Sequence, residues 1–169
     1  MTGRGLILAA PASGSGKTVI TAGLARYLRQ RGLRVATAKA GPDFVDPGFH
    51  AAATANACLN LDVWGMRRET LAGLVTELEA AAEIVLCEGV MGLFDGAGPD
   101  GETGSTAELA RLTGWPVLLI VDVRGQGASL AALLRGFLLH RPEVPLVGVI
   151  LNRVSSARHE NLLARAVAR

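Results

Sequence analysis

Leu6–Thr18 reads LILAAPASGSGKT. The run Leu6–Ala10 has the continuous apolar content of a strand buried on both faces. A Gly/Ser-rich loop, Pro11–Gly16, follows it. From Lys17 onward, Ile20, Leu24, Tyr27 and Leu28 fall on one face of a helix. Strand, loop and helix in that order are the setting of a phosphate-binding loop, and Gly16-Lys17-Thr18 is its tail. There the backbone amides of Ser13, Gly14, Ser15 and Gly16 would cradle phosphate oxygens. Lys17 would reach the β and γ oxygens, and the Thr18 hydroxyl would ligate Mg²⁺. The loop is a variant, because Pro11 stands where the first glycine of GxxxxGK[ST] belongs. A chance Gly-Lys-Thr in a turn is the bland alternative, and the flanking strand and helix argue against it.

The same alternation continues along the chain. Further apolar runs at Arg34–Ala38, Glu83–Cys87, Val117–Val123 and Pro145–Leu151 read as buried strands. Helical spacing marks about 67–82, with Leu71, Leu74, Val75 and Leu78, and about 128–140, with Leu130, Leu133, Leu134 and Phe137. Ser105-Thr106-Ala107-Glu108 is a capping box that opens a helix to about Thr113. The order predicts one α/β domain over residues 1–169: a mainly parallel sheet flanked by helices, in three α/β/α layers. Ligands bind such sheets beyond the carboxyl ends of the strands. The loops expected there are Pro11–Gly16, Lys39–His50, the glycine-rich Glu88–Gly104, and Asn152–Val154. The chain stops at Arg169, expected inside a helix with no closing strand, which suggests a fragment.

Composition narrows the function classes. Half of the 169 residues are hydrophobic and 19% are charged, a globular balance. A net charge of +2 argues for neither nucleic acid nor a membrane surface as partner. No apolar run reaches the ~18 residues of a membrane helix, and the N-terminal run is too short for a secretory leader. Cys58 and Cys87 are far apart without a CxxC spacing, which suits a reducing cytoplasm. The chain carries 15 Arg but only two Lys, Lys17 and Lys39. Such a bias suggests lysine kept where a compact ammonium has a use, against the alternative that chance composition leaves two.

The remaining candidates lie in the carboxyl-end loops. Glu83–Glu88 is an apolar strand ending in an acid, the pattern that holds Mg²⁺ or its water beside a phosphate loop. Asp95 follows in the glycine loop, where a turn-forming role competes with a catalytic one. Lys39–His50 reads KAGPDFVDPGFH. Lys39 there can neutralise a transferring phosphoryl group, and Asp43 or Asp46 can complete a Mg²⁺ shell or orient a substrate. Both acids can equally cap a proline-stiffened turn and the short helix after Pro47. Position along the loop suggests that Lys39 and Asp43 serve phosphate and Mg²⁺, while Asp46, further out, faces the acceptor. His50 reads as a histidine packed on an early helix turn. Asn152, after the last strand, can offer a paired donor and acceptor to an adenine edge. Cys87, inside a strand, reads as an inert buried thiol.

Taken in order, APASGSGKT, KAGPDFVDPGFH, LNLDVWGM, EGVMGLFDG, GSTAELARLTGWPVLLIVDVRG and VILNRV closely resemble the amino-terminal synthetase domain of cobyrinic (or hydrogenobyrinic) acid a,c-diamide synthases. The resemblance covers essentially the whole chain, and its phosphate loop is shared with dethiobiotin synthetase. It implies an ATP- and Mg²⁺-dependent amidoligase of cobalamin biosynthesis. Such enzymes activate a corrin carboxylate as an acyl phosphate for attack by ammonia, which a carboxy-terminal glutaminase domain supplies. Nothing in this chain resembles that second domain.

Carried over by position, the resemblance assigns Gly14, Gly16, Lys17 and Thr18 to the phosphate loop and Lys39 to the γ-phosphate. It assigns Asp43 and Asp46 to the corrin carboxylate and metal, Glu88 to Mg²⁺, Asp95 to the active-site loop and Asn152 to adenine. Phe44 stands where the family usually has Tyr, so no tyrosine hydroxyl acts there. Another synthetase of this branch, such as cobyric acid synthase, is the near alternative. A partitioning-type ATPase is the distant one, disfavoured because Ala12 stands where that class has a second lysine. Oligomeric state is left open, a homodimer included.

Overall fold

The computed structural model describes residues 5–168. Among them, six strands form one parallel sheet in the order β3-β2-β4-β1-β5-β6. The strands are β1 Gly5–Ala9, β2 Val35–Ala40, β3 Cys58–Leu61, β4 Ile84–Glu88, β5 Val117–Asp122 and β6 Leu146–Asn152. Helices alternate with them: α1 Lys17–Gln30, α2 Asp46–Thr54, α3 Arg68–Ala81, α4 Thr106–Thr113, α5 Leu130–His140 and α6 Ala157–Val167. The expectation that Arg169 lies within a helix falls outside the described residues.

Five strands stand where the apolar runs predict them. The sixth, β3, does not announce itself in the sequence. Of its four residues, CLNL, one is the polar Asn60 and only Leu61 is fully buried, so no continuous apolar run marks it. It is an edge strand, held by pairing to β2.

The alternation of side chains across the sheet builds two cores. Ile7 and Ala9 of β1 point into the larger one, with Leu71 and Leu78 of α3, Leu109 of α4 and Leu130 of α5. Leu8 points the other way, into a smaller core with Leu86, Ile120 and Ala25, against which Ile20, Leu24 and Leu28 of α1 pack. These are the predicted three layers. α4 starts as its capping box predicts, with the Glu108 amide donating to Ser105 Oγ at 3.2 Å.

Trp115, fully buried, closes the amino end of the larger core. Its indole Nε1–H donates to Glu79 Oε1 at 2.8 Å. Its ring lies flat against Gly5, where an added Cβ would sit 2.1 Å from Trp115 Cδ2. Glycine is required there by space. Gly5→Ala should therefore cost about 1–3 kcal/mol through overpacking. The expected reading is a lower urea midpoint with an unchanged slope, and an unchanged midpoint would show that the indole can shift.

Candidate active site

The phosphate loop runs from the end of β1 to the first residue of α1. Gly16 caps the helix with φ 97°, a left-handed conformation natural to glycine. The loop is pinned from three sides. Ser15 Oγ donates to Ala12 O at 2.8 Å, Asn152 Nδ2 to Ser15 O at 2.8 Å, and Arg153 Nη1 to Gly14 O at 2.9 Å. Asn152 therefore supports the loop from the end of β6. Sequence reasoning missed Arg153, whose partners lie 31 and 139 residues away in the chain.

Lys17 and Lys39 are both buried beneath this loop. Lys17 Nζ donates to Met91 O at 2.5 Å, within the loop that follows β4. Met91 holds a left-handed φ of 47°, unusual for a residue with a side chain. Asp95 Oδ2 accepts from Gly92 N at 2.9 Å, so it shapes the same turn. Burial, then the neighbouring Lys39, push the Lys17 ammonium below the ordinary lysine range, against the pull of Glu88, Asp46 and Asp95.

Lys39, next to last in β2, and Glu88, the last residue of β4, are register partners on adjacent strands. Lys39 Nζ lies 3.3 Å from Glu88 Oε1 and 2.7 Å from Asp46 Oδ2, at the start of α2. Burial alone would lower its pKa, but the Asp46 hydrogen bond and the Glu88 charge outweigh burial and raise it. Asp43 stands 3.7 Å away, and its Oδ1 accepts from Val45 N and Asp46 N at 2.8 and 3.0 Å. Of the two acids it is Asp46 that makes the closer contact with Lys39. Asp46 leans back over the strand end because it opens α2, and Asp43 is partly spent on folding the turn. Asn60 of β3 fixes the same loop, its Nδ2 donating to Gly41 O at 2.8 Å and Asp43 O at 2.7 Å.

Glu88 is the hub. Its Oε1 accepts from Thr18 Oγ1 at 2.7 Å, and its Oε2 lies 2.6 Å from His50 Nε2. Burial would raise its pKa, but the hydrogen bonds from His50 and Thr18 and the Lys39 charge hold it below the ordinary carboxylate range. His50, read from sequence as a packed helix residue, is wholly buried against this acid. The signal was present, since Asp46 and His50 are four apart and share a helix face.

Lys17, Thr18, Lys39, Asp43, Asp46 and Glu88 line one cleft of about 480 Å³, with Gly14 and Arg153 among its other walls. A second hollow of about 560 Å³ lies across the loop, beside Ser13, Asp122 and Arg124. Asp95 and Asn152 line neither. The main cleft offers backbone amides, two ammonium groups and hard oxygen donors together. That set can bind a polyphosphate and a small hard cation. The cysteines take no part in it: burial pushes the Cys58 thiol up to about 11 and the Cys87 thiol still higher.

Residues 6–169 match the family of CobQ/CobB/MinD/ParA nucleotide-binding domains. The chain belongs to this family. It is 53% identical over 162 residues to a hydrogenobyrinate a,c-diamide synthase of Rhodobacter capsulatus, covering 95% of this chain and 37% of the relative. The synthase of that name from Mesorhizobium japonicum is 50% identical over 99% of this chain and 38% of its own length. The chain therefore spans less than two fifths of these relatives. Family architecture recurs in solved structures at low identity. The kinase domain of the Escherichia coli tyrosine kinase ETK has TM-score 0.62 and 17% identity over 92% of this chain and 71% of its own. Hydrogenase maturation factor HypB of Archaeoglobus fulgidus has TM-score 0.56 and 14% identity over 99% and 74%. At such identities they show the phosphate-loop α/β fold alone.

The depressed Glu88 pKa fixes a sign. Unfolded chain binds the proton more readily, so this stabilisation is complete above the ordinary glutamate range and is lost as pH falls through the lower folded value. Thermal midpoints should fall on acidification through that window, and less steeply in Glu88→Gln. Equal slopes in both chains would contradict it.

Proposed function

We propose that this chain is the carboxylate-activating domain of a hydrogenobyrinate a,c-diamide synthase. With ATP and Mg²⁺ it phosphorylates the a- and c-acetate carboxylates of hydrogenobyrinate or cobyrinate, and ammonia then forms the amides. The observation that carries this reading is 50–53% identity, over 95–99% of the chain, to proteins of that name. The cleft supplies the matching chemistry.

A carboxylate is a poor electrophile with a poor leaving group, and phosphorylation repairs both. One carboxylate oxygen attacks the γ-phosphorus, the bond to the bridging oxygen breaks, and ADP leaves. Ammonia attacks the carbonyl carbon of the acyl phosphate, the carbon–oxygen bond breaks, and the departing phosphate takes the surplus proton. Little covalent work falls to the protein, so catalysis rests on positioning and charge. Lys17 and Lys39 neutralise the transferring phosphoryl oxygens. Asp46 and Glu88 keep Lys39 charged for that task.

The donor set fits Mg²⁺. Thr18 Oγ1 and Glu88 Oε1 are hard oxygens 2.7 Å apart, with Asp43 and Asp46 lining the same cleft. Among the described residues no group of three or more His, Cys, Asp or Glu side chains is placed to hold a metal. A partly open shell suits Mg²⁺, which completes its octahedron with phosphate and water. When bound, the ion draws charge from the phosphates. Phe44 and Val45 stand exposed on the loop between Asp43 and Asp46, an apolar rest for a macrocycle beside its carboxylates. Asn152 spends its amide N–H on Ser15, leaving its oxygen for the adenine amino group. In this reading the glutaminase belongs to the further length of the longer relatives, and the work is done in the cytoplasm. No described helix is long and apolar enough to cross a membrane.

Within a full-length synthase carrying this chain, Lys39→Ala and Glu88→Gln should each lower kcat for ATP-dependent amidation by about 10²-fold. Corrin KM should change little, and wild-type kcat in both variants would remove the phosphoryl-transfer assignment. Given glutamine, the 169-residue chain should release no glutamate, because neither thiol is placed or poised as a nucleophile. Glutamate release in a coupled dehydrogenase assay would contradict that.

A further inference from the structure

Two side chains of α2 reach the strand ends from one helix face. Asp46 takes Lys39, and His50 takes Glu88, whose strands are adjacent and in register. We propose that His50 is a positioning residue for the metal-binding carboxylate. Its Nε2–H fixes the rotation of Glu88 so that Oε1 is presented to Thr18 and to nucleotide-bound Mg²⁺. The role rests on the reading of Glu88 as the Mg²⁺ acid.

The carboxylate is divided between its two sides. Oε2 faces His50 at 2.6 Å, and Oε1 faces Thr18 at 2.7 Å and Lys39 at 3.3 Å. His50 is 0% exposed and Glu88 1%. Without the imidazole, Oε2 would be a buried charged oxygen lacking a donor. The group would then be free to turn either oxygen toward the Lys39 ammonium, and Thr18 would lose a fixed partner. The other ring nitrogen sharpens the argument. His50 Nδ1 is buried with no hydrogen-bond partner. With Glu88 ionised, Nε2 carries the hydrogen of this bond, and Nδ1 is left without use. An apolar side chain would pack at this position without that cost. What His50 contributes here is thus the bond made by Nε2. Partners that orient a metal ligand in this way change metal affinity when removed, without touching the metal.

Two substitutions separate this role from packing. In His50→Gln the amide nitrogen reaches as far as Nε2 and can still donate to Oε2; in His50→Asn the amide stops short. The probe is Mn²⁺, followed by electron paramagnetic resonance, with a non-hydrolysable ATP analogue bound to the chain. His50→Asn should weaken Mn²⁺ binding by about tenfold. Its affinity for the analogue without metal should stay that of wild type, and His50→Gln should keep wild-type Mn²⁺ binding. The role is overturned if both variants bind Mn²⁺ alike, whether well or poorly. It is equally overturned if His50→Asn fails to fold or loses metal-free binding in step, since histidine is then only structural. Wild-type chain that holds no Mn²⁺ beside the analogue would overturn the proposed function as well.

Discussion

The structure turns on a buried ion pair. Lys39 and Glu88 are register partners on neighbouring parallel strands and meet almost without solvent. Removing two charges from water is costly, and a simple pair rarely recovers that cost. Here the remaining valences are filled by residues from elsewhere: Asp46 and His50 from α2, and Thr18 from the first turn of α1. Satisfying the pair thus fixes where both helices sit. The phosphate loop and the loop between β2 and α2 take their places from the same constraint.

Lysine usage follows from it. Of fifteen arginines only Arg153 lines this cleft, while both lysines stand in it. A compact ammonium fits among the donors and acceptors at the strand ends, where a planar guanidinium would demand a wider fork. The two ammonium groups also repel each other, which helps to hold the Lys17 pKa down.

Local signals made much of this legible in the sequence. The phosphate loop, the alternation of apolar runs and helical faces, and the acid ending β4 are each written within a few consecutive residues. Long-range dependence hid the rest. β3 is a strand because β2 lies beside it, not because CLNL favours one. His50 looks like core packing until the register of β2 against β4 sets Glu88 beneath it. Asn60 and Arg153 act through carbonyls 17 to 139 residues distant, which no local pattern encodes. The closeness of Asp46 to Lys39 was hidden for a related reason, since distance along a loop does not measure distance once a helix folds back.

The bond from Lys17 to the Met91 carbonyl bears on how fast an anion can be captured. An ammonium in solvent must shed its hydration shell before it can grip a phosphate. Lys17 has already exchanged much of its water for a protein acceptor at 2.5 Å. Capture then becomes a swap of one oxygen ligand for another, with little reorganisation. The released partner is the backbone of a residue in a left-handed turn. On the proposed function, phosphate taken up by Lys17 would compete with the Met91 carbonyl and so couple the anion to the segment after β4.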